Sequence, residues 1–258
     1  MTIQPRVALV REVSSSIANC ELTHLEREPI DLTRARSQHH EYTAALSALG
    51  CKVHLLPELA ELPDAVFVED VAIVLDEVAI LTRPGAESRQ AEVDAIAAAL
   101  SPYREIQRLQ APATLDGGDV LRVGRTLFVG ATPRTNGEGT GQLRSLVEPF
   151  GYTVVSVPVH GCLHLKSGAT EIAPNTLVVN SRWLDTSLFV GLDLLEVDAC
   201  EPWAANVLRI DEIVLAARAF PRTNERMAAR GIALRTVAAD ELAKAEGGLT
   251  CCSLIFSR

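Results

Sequence analysis

Apolar and polar positions along the chain form a repeating unit rather than one continuous pattern. The clearest copy begins at 71–82, where Asp-Glu separates two short apolar runs and predicts a β-hairpin. Apolar residues at helical spacing follow over 88–100, and another apolar run near 105–109 predicts a third strand. We therefore interpret the unit as strand, strand, helix, strand.

Copies of this unit begin near residues 71, 119, 168 and 205. The N-terminal part fits the same pattern, with strands over 6–10 and 52–57 around a helix over 32–49, and a final strand is predicted over 250–256. A repeat of roughly 37–49 residues is typical of propellers or arrays, so about five units would close into a ring with a central channel. An ordinary α/β sheet with coincidental similarity is the alternative.

The composition narrows the class of protein. The chain has 258 residues, of which 48% are apolar and 22% charged, so it is not intrinsically disordered. No apolar run approaches the ~18 residues of a membrane span, and the N-terminus lacks the basic and long apolar regions of a signal peptide. We expect a cytoplasmic protein. The net charge of −9 argues against a nucleic-acid partner and fits a cationic small molecule.

Six cysteines and six histidines give little indication of a disulfide or a metal site. Disulfides are not expected in a cytosolic chain of this size, and no CxxC pair that would indicate structural zinc is present. His160 and His164 have the spacing of a helical metal pair, but the segment around them has the composition of strand and loop. We predict no metal.

Three short motifs carry residue types suited to covalent catalysis. Cys251 follows two glycines in GGLTCCS, His164 lies in CLHLKSG, and Asp116 lies in TLDGGDV. A nucleophile, a base and an orienting carboxylate form a known catalytic combination. The alternatives are a buried structural cysteine, a buried histidine with satisfied hydrogen bonds, and a turn aspartate. Because adjacent strand residues point to opposite faces, only one of Cys251 and Cys252 is expected to face a site.

Other charged residues stand where they are unusual. Glu69 and Asp70 interrupt an apolar run in FVEDVA, so they lie either in solvent at a strand end or beside a cation. Arg89 and Arg134 are each placed at the start of a predicted helix, where the helix dipole slightly disfavours a cation. Solvated arginine is the commoner explanation. Asp64 is otherwise an ordinary turn residue.

Six motifs in order over almost the whole chain resemble the dimethylarginine dimethylaminohydrolase family: LPDAVFVEDVA, LTRPGAESR, TLDGGDVL, FVGATPRTN, LHLKS and GGLTCCS. The resemblance implies an α/β pentein propeller, with five ββαβ units around a pseudo-fivefold axis, as one catalytic domain over 1–258. It also implies a hydrolase that converts asymmetric dimethylarginine or monomethylarginine to citrulline plus dimethylamine or methylamine. The reaction would pass through a covalent thiouronium on cysteine and need no cofactor.

The resemblance also assigns roles to residues of this chain. Cys251 matches the nucleophile, His164 the general acid/base, and Asp116 the carboxylate that assists it, a place where some relatives have Glu. The implied substrate contacts are the guanidinium-holding Glu69 and Asp70, Asp64 and the Leu22 carbonyl at the α-amino group, Arg89 and Arg134 at the α-carboxylate, and the Ala245 carbonyl. The segment around Leu22 matches the family least well.

Two other classes of function stay open. The nearest is a deiminase or another hydrolase of unmethylated arginine, although the larger deiminases carry an extra helical insertion that this chain has no room for. The second is a non-catalytic pentein that binds a large partner, which would not need a thiol, an imidazole and a polar clamp together. A monomer and a homodimer are both compatible with the sequence.

Overall fold

The computed structural model describes residues 6–257, which form short strands and helices in a repeating order. The strands are β1 (Arg6–Arg11), β2 (Lys52–Leu56), β3 (Ala72–Val74), β4 (Val78–Leu81), β5 (Glu105–Arg108), β6 (Val120–Val123), β7 (Thr126–Ala131), β8 (Thr153–Pro158), β9 (Ala169–Ala173), β10 (Thr176–Val179), β11 (Asp193–Glu196), β12 (Leu208–Ile210), β13 (Ile213–Ala217), β14 (Ala233–Val237) and β15 (Leu254–Ser257). The α-helices are α1 (Leu32–Ala48), α2 (Val93–Leu100), α3 (Gly137–Val147), α4 (Leu165–Gly168), α5 (Pro221–Ala229) and α6 (Asp240–Ala243). The predicted domain of 1–258 includes residues 1–5 and 258, which lie outside the described residues.

These strands form five three-stranded sheets, which confirms the predicted pentein fold of ββαβ units. In each sheet two strands pair antiparallel, in four sheets as a hairpin, and the third strand lies parallel to the middle strand, as in β3-β4-β5 and β6-β7-β8. A parallel return needs a crossover connection, which a helix supplies in four units. The unit of β9, β10 and β11 has a 3-10 turn, Thr186–Leu188, in place of that helix.

The fifth sheet joins the two ends of the chain. Strand β15 pairs antiparallel with β1, and β2 pairs parallel with β1 after the helix α1. Apolar residues of the two terminal strands lie opposite each other, with Val7 paired to Phe256 and Leu9 to Leu254. All four of these side chains are buried. The hydrophobic effect therefore favours closure of the repeat by its own last strand.

The first strand of each sheet faces the centre of the molecule. Residues of all five of these strands line one central cavity of about 460 Å³. A tight segment precedes each of them, and four of these segments are 3-10 turns or a one-turn helix: Val68–Val71, Gly117–Asp119, α4 and Thr250–Cys252. The topology therefore collects residues from distant parts of the sequence around one end of the cavity.

Two local predictions were wrong. The final strand begins at Leu254 rather than at residue 250, and Cys251 and Cys252 lie in a 3-10 turn. The argument that strand neighbours point to opposite faces therefore does not apply to them. His164 lies in an extended conformation directly before α4, not inside a strand. In both places the segment turns sharply before its strand, because side chains of neighbouring units bind its backbone.

All six cysteines are free, and Cys200 alone among them is exposed. Among residues 6–257, no helix has the length and hydropathy needed to cross a membrane. The α1 helix begins at an N-cap, Asp31, whose carboxylate accepts the Arg34 backbone N–H, and α3 begins in the same way at Asn136.

Candidate active site

A narrow cavity lies where the turns before the first strands of the five sheets converge; we call these five the inner strands. Seven of the ten residues proposed from the sequence line it: Asp64, Asp70, Arg89, Arg134, His164, Ala245 and Cys251. Its volume is about 10 Å³, barely enough for one water molecule. The segment around Glu21 covers it, so a ligand of amino-acid size enters only when this cover moves.

The thiol of Cys251 is buried and lies in a tight turn. The backbone N–H of Gly248 donates a hydrogen bond to Cys251 Sγ at 3.3 Å. Burial raises the pKa of the Cys251 thiol to about 12, and the negative charges of Glu69 and Asp70 act in the same direction. The thiol is therefore neutral near pH 7 until something offsets those two charges.

A hydrogen-bond network holds the turn Thr250–Cys252, which we call the cysteine turn. Thr250 Oγ1 donates to Glu69 Oε2 at 2.6 Å, and Lys166 Nζ donates to Glu69 Oε1 at 2.6 Å. Asn206 closes the network, since its amide accepts the Thr250 backbone N–H and donates to the Lys166 carbonyl. Residues from four units thereby fix the position of Cys251. Glu69 faces this network, and of the two predicted guanidinium-holding acids only Asp70 lines the cavity.

His164 is buried among carboxylates. Its Nε2 lies 3.0 Å from Asp116 Oδ2, and its Nδ1 lies 3.8 Å from Asp70 Oδ1. Burial alone would lower the pKa of His164, but the charges of Asp70, Asp119 and Asp116 outweigh it and raise the pKa to about 9. The imidazole is therefore protonated near pH 7. Gly118 lets the backbone approach, because a Cβ there would lie 2.6 Å from His164 Nδ1.

Asp116 is fully buried and orients the imidazole. Its Oδ1 accepts the backbone N–H of Gly85 at 2.8 Å, which leaves Oδ2 for His164. Its own backbone N–H donates to Thr135 Oγ1. The carboxylate is therefore held at both oxygens, and its role as the acid that assists His164 stays a prediction from the resemblance.

Asp119, three residues later, has a different function in the structure. Its Oδ2 accepts hydrogen bonds from Thr132 Oγ1 and Thr135 Oγ1, and its Oδ1 accepts the Leu165 backbone N–H. Asp119 thus ties the segment that carries His164 to the turn that carries Arg134. The motif TLDGGDV contains this residue as well as Asp116, and its burial with three hydrogen-bond donors indicates a positioning role.

The two arginines differ in how many donors they leave for a ligand. Arg89 binds Asp70 Oδ2 at 2.5 Å, both oxygens of Glu92, and the carbonyls of Asp64 and Phe67. These contacts occupy all but one of its N–H groups. By contrast, the one hydrogen bond that the structure describes for the guanidinium of Arg134 goes to Thr23 Oγ1 at 3.1 Å. Arg134 therefore has more free donors for a carboxylate.

The charges around Asp70 keep it ionised. Burial would raise its pKa, but the positive charges of His164 and Arg89 outweigh that effect and hold the pKa below its ordinary value. Asp70 Oδ1 also accepts the Gly118 backbone N–H at 3.1 Å. An ionised carboxylate is thus available at the cavity wall, next to the imidazole and the thiol.

Residues 20–30, which we call the lid, include Glu21, which lines the cavity. Asp64 Oδ2 accepts the Glu21 backbone N–H at 3.0 Å, so this acid touches both the lid and the cavity. Leu22 is half-buried and packs against the core beneath. Ala245 is buried at the cavity wall, in the segment that leads to the cysteine turn.

Asp70, Asp116 and His164 also lie close enough for a metal ion, with one ligand atom from each within 4.8 Å of the others. The three groups already bind one another, and His164 Nε2 faces Asp116 directly. The absence of a metal from the mechanism stays a prediction.

Comparison with known proteins decides the family. Residues 11–185 match the family described as N,N dimethylarginine dimethylhydrolase, eukaryotic. The chain is 40% identical to an N(G),N(G)-dimethylarginine dimethylaminohydrolase of Streptomyces coelicolor, over 96% of this chain and 95% of the relative. It is 34% identical to the enzyme of the same name from Pseudomonas aeruginosa, over 88% and 90%. The chain belongs to the dimethylarginine dimethylaminohydrolase family.

Solved structures of the dimethylarginine dimethylaminohydrolase family agree with the fold. A cysteine-to-serine variant from Pseudomonas aeruginosa in complex with citrulline superposes with a TM-score of 0.92 at 32% identity, covering 96% of this chain and 98% of that one. A histidine-to-glycine variant, as an adduct with S-methyl-L-thiocitrulline, gives a TM-score of 0.91 at the same identity and coverage. The N-terminal domain of a cyanobacterial arginine dihydrolase shares the fold, with a TM-score of 0.87 at 19% identity.

Proposed function

We propose that this member of the family hydrolyses methylated arginine to citrulline and dimethylamine or methylamine. Cys251 is the nucleophile, His164 the general acid and base, and Asp116 the carboxylate that orients His164. The observation that carries the proposal is that a buried thiol, a protonated imidazole and an ionised Asp70 line the same cavity. A cationic, planar substrate is the ligand that such a site suits.

The chemistry explains why a thiol is required. A guanidinium carbon is a poor electrophile, because its charge is delocalised over three nitrogens, and the thiolate is the strongest nucleophile that side chains offer near neutral pH. The pKa of Cys251 is raised by burial and by two acids. A guanidinium bound between the thiol and Asp70 offsets that negative charge. The thiol proton is then released to solvent and the thiolate forms beside its target.

In the first half-reaction, the Cys251 sulfur bonds to the guanidinium carbon. His164 is protonated before substrate binds, since its pKa is about 9. It donates its proton to the departing nitrogen, the carbon–nitrogen bond breaks, and dimethylamine or methylamine leaves. The product on the enzyme is a thiouronium in which the former guanidinium carbon is bonded to sulfur.

In the second half-reaction, the now neutral His164 accepts a proton from water. The oxygen of that water bonds to the thiouronium carbon and the carbon–sulfur bond breaks. The second proton of the water passes to solvent as the C=O bond forms, and citrulline is released with the thiolate restored. Asp116 stabilises the imidazolium each time that it forms. No step requires a metal or another cofactor.

The amino-acid end of the substrate is bound by other residues of the cavity. We assign the α-carboxylate mainly to Arg134, because Arg89 is already occupied by acids and carbonyls. Asp64 and the Leu22 carbonyl bind the α-amino group. Asp70 and the Ala245 carbonyl contact the guanidinium, while Glu69 acts through Thr250 and the electrostatic field at the thiol.

One assay tests the proposal directly. Citrulline release is measured side by side from asymmetric dimethylarginine, monomethylarginine and arginine, with Cys251→Ser and the adjacent Cys252→Ser as matched variants. We expect turnover of the methylated substrates, no turnover with Cys251→Ser, and most of the activity with Cys252→Ser. Equal loss of activity in both variants would show that Cys251 is wrongly assigned as the nucleophile. Turnover of arginine alone would show that the protein is a deiminase.

Some features stay predictions: a single catalytic domain over 1–258, a cytoplasmic location, and a monomer or homodimer that binds neither nucleic acid nor membrane.

A further inference from the structure

The carboxylate of Glu246 binds the lid through three consecutive backbone donors. Glu246 Oε1 accepts the N–H groups of Thr23, His24 and Leu25 at 3.0, 2.5 and 2.6 Å. Successive backbone N–H groups that converge on one point form a concave binding site for an anion. Glu246 lies more than 220 residues away in sequence, so this contact joins two distant segments. Each of the three hydrogen bonds is charge-assisted.

The backbone of Glu246 is held in an unusual conformation. Its φ angle is +58°, in the left-handed region that residues other than glycine, asparagine and aspartate rarely adopt. It stands between Ala245, which lines the cavity, and the glycines that lead to Cys251. Strained residues of this kind persist where surrounding contacts hold them, and they cluster at functional sites. The three hydrogen bonds to the lid are contacts of this type.

The other contacts of the lid involve the residues that bind the amino-acid end of the substrate. Asp64 accepts the Glu21 N–H, and Arg134 donates to Thr23 Oγ1. A bound substrate would compete for both contacts, because it would also bind Asp64 and Arg134. Glu246 also lines the cavity, but it is not among the proposed substrate contacts, and its Oε1 is already bound by the lid. Its carboxylate holds residues 23–25, directly beside Leu22.

We propose that Glu246 is a positioning residue that holds the lid closed over substrate and sets the position of the Leu22 carbonyl. The inference rests on the proposed function, because it takes Leu22 as the contact for the substrate amino group. With the carboxylate removed, the lid opens more often. Substrate and citrulline then dissociate faster, whereas the thiol and the imidazole keep their positions.

The test uses two variants and a control. Glu246→Gln keeps the size of the side chain and removes its charge, whereas Glu246→Gly removes the side chain and also relieves the positive φ angle. The matched control is Glu26→Gln, because Glu26 is an exposed acid of the same lid. Trypsin cleavage after Arg27, which is exposed in the lid, reports lid opening without reference to activity and is followed by mass spectrometry.

Loss of charge-assisted hydrogen bonds should make cleavage after Arg27 roughly tenfold faster and raise KM by roughly tenfold in both Glu246 variants, with a much smaller change in kcat. Glu26→Gln should behave as wild type. The inference fails if cleavage and KM in both Glu246 variants stay within twofold of wild type, or if Glu26→Gln shows the same change. A wild-type protein that releases no citrulline would refute the proposed function, while the trypsin comparison would still decide whether Glu246 holds the lid.

Discussion

Replacing Asp116 with asparagine tests the charge state of the general acid. Asp116 accepts a backbone N–H from Gly85 at one oxygen and faces His164 Nε2 with the other at 3.0 Å. An asparagine of the same shape has a single acceptor oxygen and an NH₂ group. Whichever way the amide is turned, its NH₂ group meets a donor, either Gly85 N–H or His164 Nε2–H. The change removes a negative charge and creates a donor–donor conflict.

The expected size of the effect follows from the pKa of His164. Burial lowers that pKa, and three carboxylates together raise it to about 9 from an ordinary value of 6.5. An opposite charge in direct contact shifts a pKa by about 1–3. Because Asp70 and Asp119 would still raise the pKa of His164, we expect a decrease in the lower part of that range, to roughly 7–8. Near pH 7.5, about half of the imidazoles would then lack the proton that the leaving amine needs.

The same pKa links stability to pH. A histidine whose pKa is higher in the folded than in the unfolded state stabilises the fold fully below pH 6.5, and this contribution is lost as pH rises through about 9. The difference between about 9 and 6.5 corresponds to about 3 kcal/mol at most. In Asp116→Asn the contribution should shrink to about 1–2 kcal/mol and disappear at a lower pH.

Two measurements check this prediction. The NMR titration of the His164 ring proton gives its pKa directly in the folded protein, with His164→Asn used to identify the resonance. The pH dependence of kcat/KM gives the alkaline limb, which should move to lower pH by about 1–2 in Asp116→Asn. Asp94→Asn, the same change at an exposed acid on α2, is the control. An unchanged titration of His164 in a folded Asp116→Asn protein would refute the assignment of Asp116.

Two further substitutions separate binding from catalysis. Arg134→Ala should raise KM by roughly 10- to 100-fold and change kcat far less, because its guanidinium binds a carboxylate far from the reacting carbon; a loss confined to kcat would contradict the clamp role. Asn206→Ala should lower kcat by roughly tenfold with little change in KM, since the Thr250 N–H that it accepts belongs to the turn of the nucleophile. Asn224→Ala in α5 is the control. If kcat of the Asn206 variant is unchanged, Asn206 does not position Cys251.

The repeat was readable from the sequence because each unit contains its own hydrophobic pattern. The hairpin of β3 and β4, the helix α3 and the strand β8 follow from local spacing and turn residues alone. The backbone conformation of the short segments before the inner strands could not be predicted in the same way. Cys251 and His164 both lie in such segments, where hydrogen bonds from other units decide the backbone conformation.

Residues that line the cavity could be predicted where they belong to a recognisable sequence motif. Residues that reach the site only through the fold could not. The resemblance drew attention to Asp70, Arg134 and Cys251, and the structure places all three in one cavity. Asn206 had no signal of its own, because an asparagine before a strand is an ordinary turn residue. Its contact with Thr250 becomes visible only in the folded structure, where two distant units meet.

The distribution of charge in the site favours one acid as the contact for a substrate cation. Asp119 has a pKa raised to about 6, and protein hydrogen bonds occupy both of its oxygens. Glu69 is bound by Lys166 and Thr250, and Asp116 by Gly85 and His164. Asp70 is also bound, by Arg89 and by the Gly118 N–H, but it differs from the other three in combining a lowered pKa with a position at the cavity wall. An ionised acid beside the thiol attracts a cation most strongly in a buried site, so we expect selection for guanidinium to depend mainly on Asp70.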